Sequence, residues 1–176
     1  MLTRRTLVSA IPGIAAAGAL AACSSTTTNG VTTITLNVAQ ANSWAQALLN
    51  ATTLVAGLPG IVGTPPALAV MAVEPLISAD LTAFNTAANG QIVLTYDRTT
   101  PAAAVTSLAA DGQKLVSDVQ AAIGNVASAQ LSVAQEYLAA VKTIVSFFQA
   151  AVGSVAAAAP SGMTEARALA VLKVGK

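Results

Sequence analysis

Residues 131–155, Leu-Ser-Val-Ala-Gln-Glu-Tyr-Leu-Ala-Ala-Val-Lys-Thr-Ile-Val-Ser-Phe-Phe-Gln-Ala-Ala-Val-Gly-Ser-Val, decide the fold class of this chain. Their apolar side chains recur at steps of three and four, which is the spacing of one face of an α-helix. This row consists of Leu131, Ala134, Leu138, Val141, Val145, Phe148, Val152 and Val155. A second apolar row lies beside it, formed by Val133, Tyr137, Ala140, Ile144, Phe147 and Ala151. A stripe this wide predicts a central helix that contacts two neighbours.

Two more helices are predicted in the first half of the chain. The first covers residues 37–56 and ends at Gly57, because glycine is common just after a helix. The second covers residues 65–89, opened by a proline that needs no backbone N–H in the first turn. A break is expected within it before Pro75, since proline disfavours helical geometry in the residue that precedes it.

The second half adds two helices, and two β-like stretches complete the pattern. Thr100 and Pro101 predict the start of a helix, with Thr100 as N-cap, and residues 164–174 predict a short final one. Residues 31–36 and 91–96 are rich in β-branched side chains and are expected to pair. The sequence therefore predicts a mainly α fold, an antiparallel bundle of four or five helices with one short two-stranded β pairing.

The first residues have the order of a secretory signal. Arg4 and Arg5 form a positive head, an uncharged apolar run extends from Leu7 to Leu20, and small residues follow. The last four positions, Leu20-Ala21-Ala22-Cys23, resemble the lipobox of bacterial lipoproteins. The resemblance implies lipidation of Cys23, removal of residues 1–22 and acylation of the new amino terminus. The alternative, a membrane helix, is disfavoured because a span needs about 20 apolar residues.

The export route and the destination are also suggested by resemblance. Thr3-Arg4-Arg5-Thr6-Leu7-Val8 resembles the twin-arginine export pattern, although general secretory export needs only the positive charge. Ser24, following the cysteine, resembles lipoproteins that are sent to an outer membrane. We therefore expect a protein on the periplasmic face of a bacterial membrane, with the outer membrane favoured over the inner one.

These signals divide the chain into three parts. Residues 1–22 are the predicted signal peptide, and residues 23–36 are the predicted lipidated cysteine and tether. The tether prediction rests on the Ser-Ser-Thr-Thr-Thr-Asn-Gly run, whose small polar composition is typical of flexible spacers. Residues 37–176 are the predicted helical domain.

Composition excludes several function classes. The chain has no histidine and one cysteine, so zinc sites, disulfides and Ser-His-Asp catalysis are ruled out. Without residues 1–22 the eight basic residues fall to six beside seven acidic ones, which leaves no basic field for nucleic acid. The acidic residues are scattered and suggest neither a metal site nor a cofactor site: Glu74, Asp80, Asp97, Asp111, Asp118, Glu136 and Glu165. We expect no enzymatic activity.

Three residues remain as a possible interaction surface. Trp44 is the single tryptophan, a residue type enriched at interfaces, but a position at the core edge is the simpler interpretation. Tyr96 and Arg98 flank Asp97 at a predicted strand-to-helix junction, where the alternative is a solvated loop with the tyrosine covering the core.

Two functional hypotheses follow. The first is a lipid-anchored periplasmic protein with a binding or structural role at the cell envelope, where its partner is a protein. The alternative is a prophage or envelope accessory protein of the transport or lysis class. That alternative needs the uncharged residues 143–159 to enter the bilayer, whereas the periodicity favours a buried helix.

Overall fold

A computed structural model describes residues 23–153 and 162–173. They form a mainly helical protein with one three-stranded antiparallel sheet, in the order β1-β2-β3. The strands are β1 (Cys23–Thr28), β2 (Val31–Asn37) and β3 (Val93–Asp97). The α-helices are α1 (Val38–Ala56), α2 (Pro65–Met71), α3 (Glu74–Ala88), α4 (Ala103–Ile123), α5 (Leu131–Ala151) and α6 (Glu165–Leu172), and a 3₁₀ turn covers Ser128–Gln130. The predicted mainly α fold is confirmed. The helices number five if α2 and α3 count as one interrupted helix.

Local chemistry explains most helix boundaries. The Asn37 side chain accepts the Gln40 N–H at 3.1 Å and caps α1, and Thr164 caps α6 in the same way. The expected break before Pro75 is present, between α2 and α3. The predicted start of α4 was wrong: the helix begins at Ala103, with Ala102 as N-cap and no side-chain cap.

Thr100 belongs instead to the turn that precedes α4. Its N–H donates to the Asp97 carbonyl at 3.0 Å, and this bond closes a turn directly after β3. Because the backbone is still turning at Thr100, the helix starts only after Pro101. A local sequence signal for an N-cap was therefore overridden by the turn that leaves the sheet.

Helix α5 lies at the centre of the domain. Its six consecutive residues 143–148 are all buried, so this part of the helix is enclosed on every side. Val141, Val145 and Phe148 of the predicted stripe are 0–1% exposed, while Leu131, at the start of the helix, is 38% exposed. The helix was predicted to reach residue 155; it ends at Ala151, and residues 154–155 lie outside the described part of the chain.

The domain has two ends that can be told apart by hydrogen bonds. At one end, which we call the sheet end, the Val38 N–H donates to the Ile92 carbonyl at 3.0 Å. At the other, the loop end, the Ala127 N–H donates to the Pro59 carbonyl at 3.1 Å. Helix α1 runs from the sheet end to the loop end, and α5 runs back, so the two are antiparallel.

Gly60 makes the close approach at the loop end possible. Its φ is +96°, and a Cβ there would lie 2.6 Å from the Asn125 carbonyl oxygen and 2.7 Å from the Ala127 nitrogen. Both atoms belong to backbone, which cannot yield to a side chain. The turn after α1 and the turn after α4 are therefore locked together.

The sheet differs from the prediction in its first strand. The pairing of β2 with β3 was expected, but residues 23–28 form a strand instead of a flexible tether. Asn29 and Gly30, with φ of 51° and 80°, form the two-residue turn that joins β1 to β2. An Asn-Gly pair favours such a hairpin because both central residues need positive φ. The Asn-Gly turn therefore determines the local structure, although the residues around it have the polar composition of a spacer.

Candidate functional site

The predicted lipidation residue, Cys23, is the first residue of β1 at the sheet end. It lies opposite Leu36, which in turn lies opposite Leu94, so the three side chains project to the same face of the sheet. Leu36 is fully buried, and this face is therefore turned toward the helices. Burial and, to a smaller extent, the negative charge of Glu165 raise the pKa of the Cys23 thiol to about 11. A thiol in this setting is protonated at neutral pH and weakly nucleophilic.

Glu165 links the end of the chain to α1. Its carboxylate accepts the indole N–H of Trp44 at 2.7 Å and also a hydrogen bond from the Gln40 amide. Glu165 is in the first turn of α6, where a negative charge stabilises the helix. The bonds connect residues more than a hundred positions apart, so no local sequence pattern could have revealed them.

Trp44 itself belongs to the core. It is 1% exposed, stacks on Phe147 with ring centroids 5.2 Å apart, and meets Phe148 edge-on at 5.4 Å. Such aromatic pairs stabilise beyond the area they bury. Trp44 therefore offers no exposed surface to a partner, and the simpler interpretation left open by the sequence applies.

Tyr96 and Arg98 fasten the sheet to the end of α5. The Tyr96 hydroxyl donates to the Ala151 carbonyl, and the Arg98 guanidinium donates to the Gly153 carbonyl, both at 2.8 Å. Burial, followed by the charge of Cys23, raises the pKa of the Tyr96 phenol above its usual range. The two side chains satisfy carbonyls that α5 leaves without helical partners, which is a structural role.

The acidic residues are not as scattered as the sequence suggested. Asp80 of α3 and Asp111 of α4 lie beside each other, and the pKa of Asp80 is raised to about 6 by partial burial and by the hydrogen bond and charge of Asp111. Elsewhere Asp118 pairs with Lys114 at 2.6 Å and Glu136 with Arg167 at 2.9 Å. Within residues 23–153 and 162–173, no group of three or more possible metal ligands is found.

A shallow cavity of about 250 Å³ opens at the loop end. It is lined by Thr53, Ala56, Gly57, Met71 and Glu74 and does not include the Asp80–Asp111 pair. The two carboxylates, each half-buried, therefore lie outside this cavity.

Four exposed large apolar residues belong to α2, the loop before it and the start of α3. We call this set the α2 surface: Val62, Leu68, Met71 and Leu76, which are 66%, 61%, 49% and 43% exposed. Among the described residues, the stretch Pro65–Ala88 is long and apolar enough to cross a membrane, and only 33% of its most apolar window is buried. The sequence raises this possibility at residues 143–159 instead; there residues 143–148 are buried, and residues 154–159 lie outside the described part of the chain.

Comparison with known proteins identifies no relative. No family model matches the chain, and neither a curated protein nor a solved structure does. The leader, the surroundings of Cys23 and the exposed apolar residues are therefore the features that bear on function. The leader residues Arg4 and Arg5 lie outside the described part of the chain.

Proposed function

We propose that this protein is a bacterial envelope lipoprotein, exported to the periplasmic face of a membrane and anchored there through Cys23. The observation that carries the proposal is Leu20-Ala21-Ala22-Cys23, which contains the one cysteine of the chain directly after an apolar run with a positive head. The role of the protein is binding or structural, with a protein partner in the envelope. The outer membrane is the favoured location.

The position of Cys23 in the fold is compatible with such an anchor. Cleavage before Cys23 leaves every described strand and helix in the mature protein. Lipid transfer needs an accessible thiol, whereas the paired β1 turns this thiol toward the helices. The other five residues of β1 are exposed, so opening of this strand breaks few apolar contacts. Lipidation thus takes place before β1 pairs or while it is open.

The α2 surface is the part of the described domain best suited to a protein partner. It lies at the loop end, since Met71 lines a cavity with Thr53, Ala56 and Gly57 at the end of α1. Helix α1 has 19 residues, which place this surface about 28 Å from the sheet end. An anchor at Cys23 would therefore hold the α2 surface away from the membrane to which the protein is attached.

The decisive test of the anchor is Cys23→Ser. We expect loss of acyl-chain incorporation, measured by metabolic labelling with a palmitate analogue, and loss of membrane retention. The matched control is Cys23→Ser with Ser25→Cys, which returns a thiol to the same face of β1 but outside the lipobox. This control should also remain unlabelled. Normal membrane retention of Cys23→Ser would rule out the lipoprotein.

The export route has a separate test. Replacement of Arg4 and Arg5 by lysine keeps the positive charge that general secretion needs but removes the arginines that the twin-arginine route recognises. Export that stops in this variant, measured by cleavage of the leader, identifies the twin-arginine route. Export that continues identifies general secretion.

The alternative function is a membrane-active accessory protein of the transport or lysis class. The observation in its favour is the apolar and largely exposed stretch Pro65–Ala88. Insertion of that stretch would remove Ile77 and Phe84, both 0% exposed, from the core. Alkaline extraction of membranes that carry Cys23→Ser separates the two functions, because a membrane-inserted protein would stay in the pellet without its lipid.

A further inference from the structure

The second exposed apolar feature of the domain lies at the sheet end, next to Cys23. Ile92 is 78% exposed and Val93 is 42% exposed, and Ile92 has the highest exposed fraction among the large apolar residues of the described chain. The Ile92 carbonyl accepts the Val38 N–H at 3.0 Å, which ties this loop to the first turn of α1. The Ile92 side chain is thus exposed to solvent, while its backbone carbonyl is hydrogen-bonded to α1.

The register of the sheet places this loop near the anchor residue. Cys23, Leu36 and Leu94 form one row across the three strands, and Val93 is the next residue of β3, opposite Asn37. Two strand spacings separate β1 from β3, which is about 10 Å. A lipid attached to Cys23 therefore brings the Ile92–Val93 pair to the bilayer surface.

The charge distribution favours contact with lipid at this end. The sequence has no charged residue between Arg5 and Glu74, and none between Asp80 and Asp97. The loop, the first turns of α1 and the neighbouring ends of β1 and β2 consequently contain no charged residue. The Glu165 carboxylate lies against the first turns of α1, where Gln40 and Trp44 donate hydrogen bonds to it. Few charged groups there would need to lose water when the loop enters the interface of a bilayer.

On these observations, which rest on the proposed lipidation of Cys23, we propose that Ile92 and Val93 insert into the bilayer as a second, protein-borne contact beside the lipid anchor. The contact fixes the orientation of the domain, with the sheet end against the membrane and the α2 surface away from it. Because the loop itself is uncharged and no basic residue lies in the neighbouring segments, the contact depends on apolar burial and is insensitive to the fraction of anionic lipid.

The experiment uses the full-length lipidated protein with one added cysteine at a time. Ile92→Cys is labelled with an environment-sensitive thiol dye, and Val62→Cys, which is 66% exposed at the loop end, is the matched control. Val93→Cys is a second reporter in the same loop. Each protein is reconstituted into phosphatidylcholine vesicles, with and without phosphatidylglycerol, and quenching by iodide is measured. A portion of each protein is also labelled after unfolding in urea, where an unlipidated Cys23 would react as well. One dye per chain in that sample verifies the anchor, because lipidation blocks the native thiol.

We expect iodide quenching at positions 92 and 93 to be roughly threefold or more weaker than at 62, because the hydrocarbon region excludes water and ions. The result should not change with phosphatidylglycerol. Equal quenching at 92 and 62 on vesicle-bound protein would overturn the orientation but leave the anchor intact. Protection at 92 accompanied by disulfide-linked dimers of Ile92→Cys would also overturn it, in favour of a second copy. Two dyes per chain and no vesicle binding would overturn the proposed function itself.

Discussion

Helices α5 and α3 have similar apolar sequences but different surroundings. Residues 143–148 of α5 are buried on all sides, whereas the stretch Pro65–Ala88, which includes α3, is only about one third buried in its most apolar window. Helix α5 has α1, α4 and α6 as neighbours, while α3 packs on α1 and α4 and leaves its other side in water. Composition therefore does not distinguish a central helix from a peripheral one. The number of helices that pack against it does.

The largest effect is expected where α5 is enclosed. Phe148→Ala removes a side chain that is 0% exposed and contacts Trp44, so it should lower the free energy of unfolding by about 3–5 kcal/mol. Leu68→Ala, on the α2 surface, should change it by less than about 0.5 kcal/mol. Urea unfolding of the lipid-free protein measures both. Equal losses for the two variants would mean that α2 is as well packed as α5.

The next largest loss of stability is expected when the hydrogen bond between Trp44 and Glu165 is removed. Glu165→Ala leaves the indole N–H of Trp44 without its acceptor, and a loss of about 1–3 kcal/mol is expected. Glu165→Gln keeps an acceptor oxygen and should lose much less. The tryptophan emission spectrum reports the change directly, since Trp44 is the single tryptophan. An unshifted spectrum in both variants would count against this hydrogen bond.

Close packing between α4 and α5 is tested by Gly112→Ala. The new methyl group would lie 2.8 Å from Val145 Cγ2 and 3.4 Å from Leu48 Cδ1. Overpacking costs about 1–3 kcal/mol and the gain in helix propensity is about 1 kcal/mol, so a net loss of up to about 2 kcal/mol is expected.

Two controls accompany this substitution. Gly124→Ala should have little effect, because its nearest non-neighbouring atom would be an ordinary 3.7 Å away. Combining Gly112→Ala with Val145→Ala should cause a smaller loss than the sum of the single variants, since the second change makes room for the first. Strict additivity in chemical unfolding would contradict the close contact.

The smallest expected effect is a gain in the stability of the folded protein from a substitution on α3. The pKa of Asp80, about 6 in the folded protein, is above its ordinary value of 3.8. The folded state therefore holds this proton more tightly, and the stability it contributes is complete below about pH 4 and lost as the pH rises through 6. Asp80→Asn should raise the melting temperature at pH 7. The gain in the free energy of unfolding should be less than about 1 kcal/mol, because the group is only partly buried and solvent screens its charge.

The pH profile supplies the check on this prediction. Asp80→Asn should flatten the dependence of stability on pH between about 4 and 6, and Asp111→Asn should raise stability at pH 7 in the same way, because either change removes the repulsion between the carboxylates. Glu74→Gln, on the same helix, is the matched control. A melting temperature at pH 7 that falls in Asp80→Asn would contradict the interpretation.

The sequence predicted those features whose signals are local. The two apolar rows identified α5, Gly57 and Pro75 marked helix ends, and the β-branched residues of 31–36 marked β2. The hairpin turn at Asn29-Gly30 was also visible locally, but the Ser and Thr residues around it were interpreted as a tether. That error came from composition, which says little about backbone pairing.

The surroundings of the candidate site could not be predicted in the same way. The bonds from Trp44 and Gln40 to Glu165, and the approach of Asp80 to Asp111, depend on which helices are neighbours. A single sequence gives the apolar face of each helix but not the partner of that face. The sequence also could not predict that Ile92 is exposed, because an apolar residue next to a strand is usually expected to be covered.

The locked turns at the loop end also bear on how long the folded protein lasts. Gly60 and Asn125 lie more than sixty positions apart in the chain, so their contact closes a long loop, and contacts of this kind form late in folding. An alanine at Gly60 would then accelerate unfolding while leaving the folding rate nearly unchanged. The contact between the two turns therefore sets the lifetime of the native state rather than the speed of reaching it.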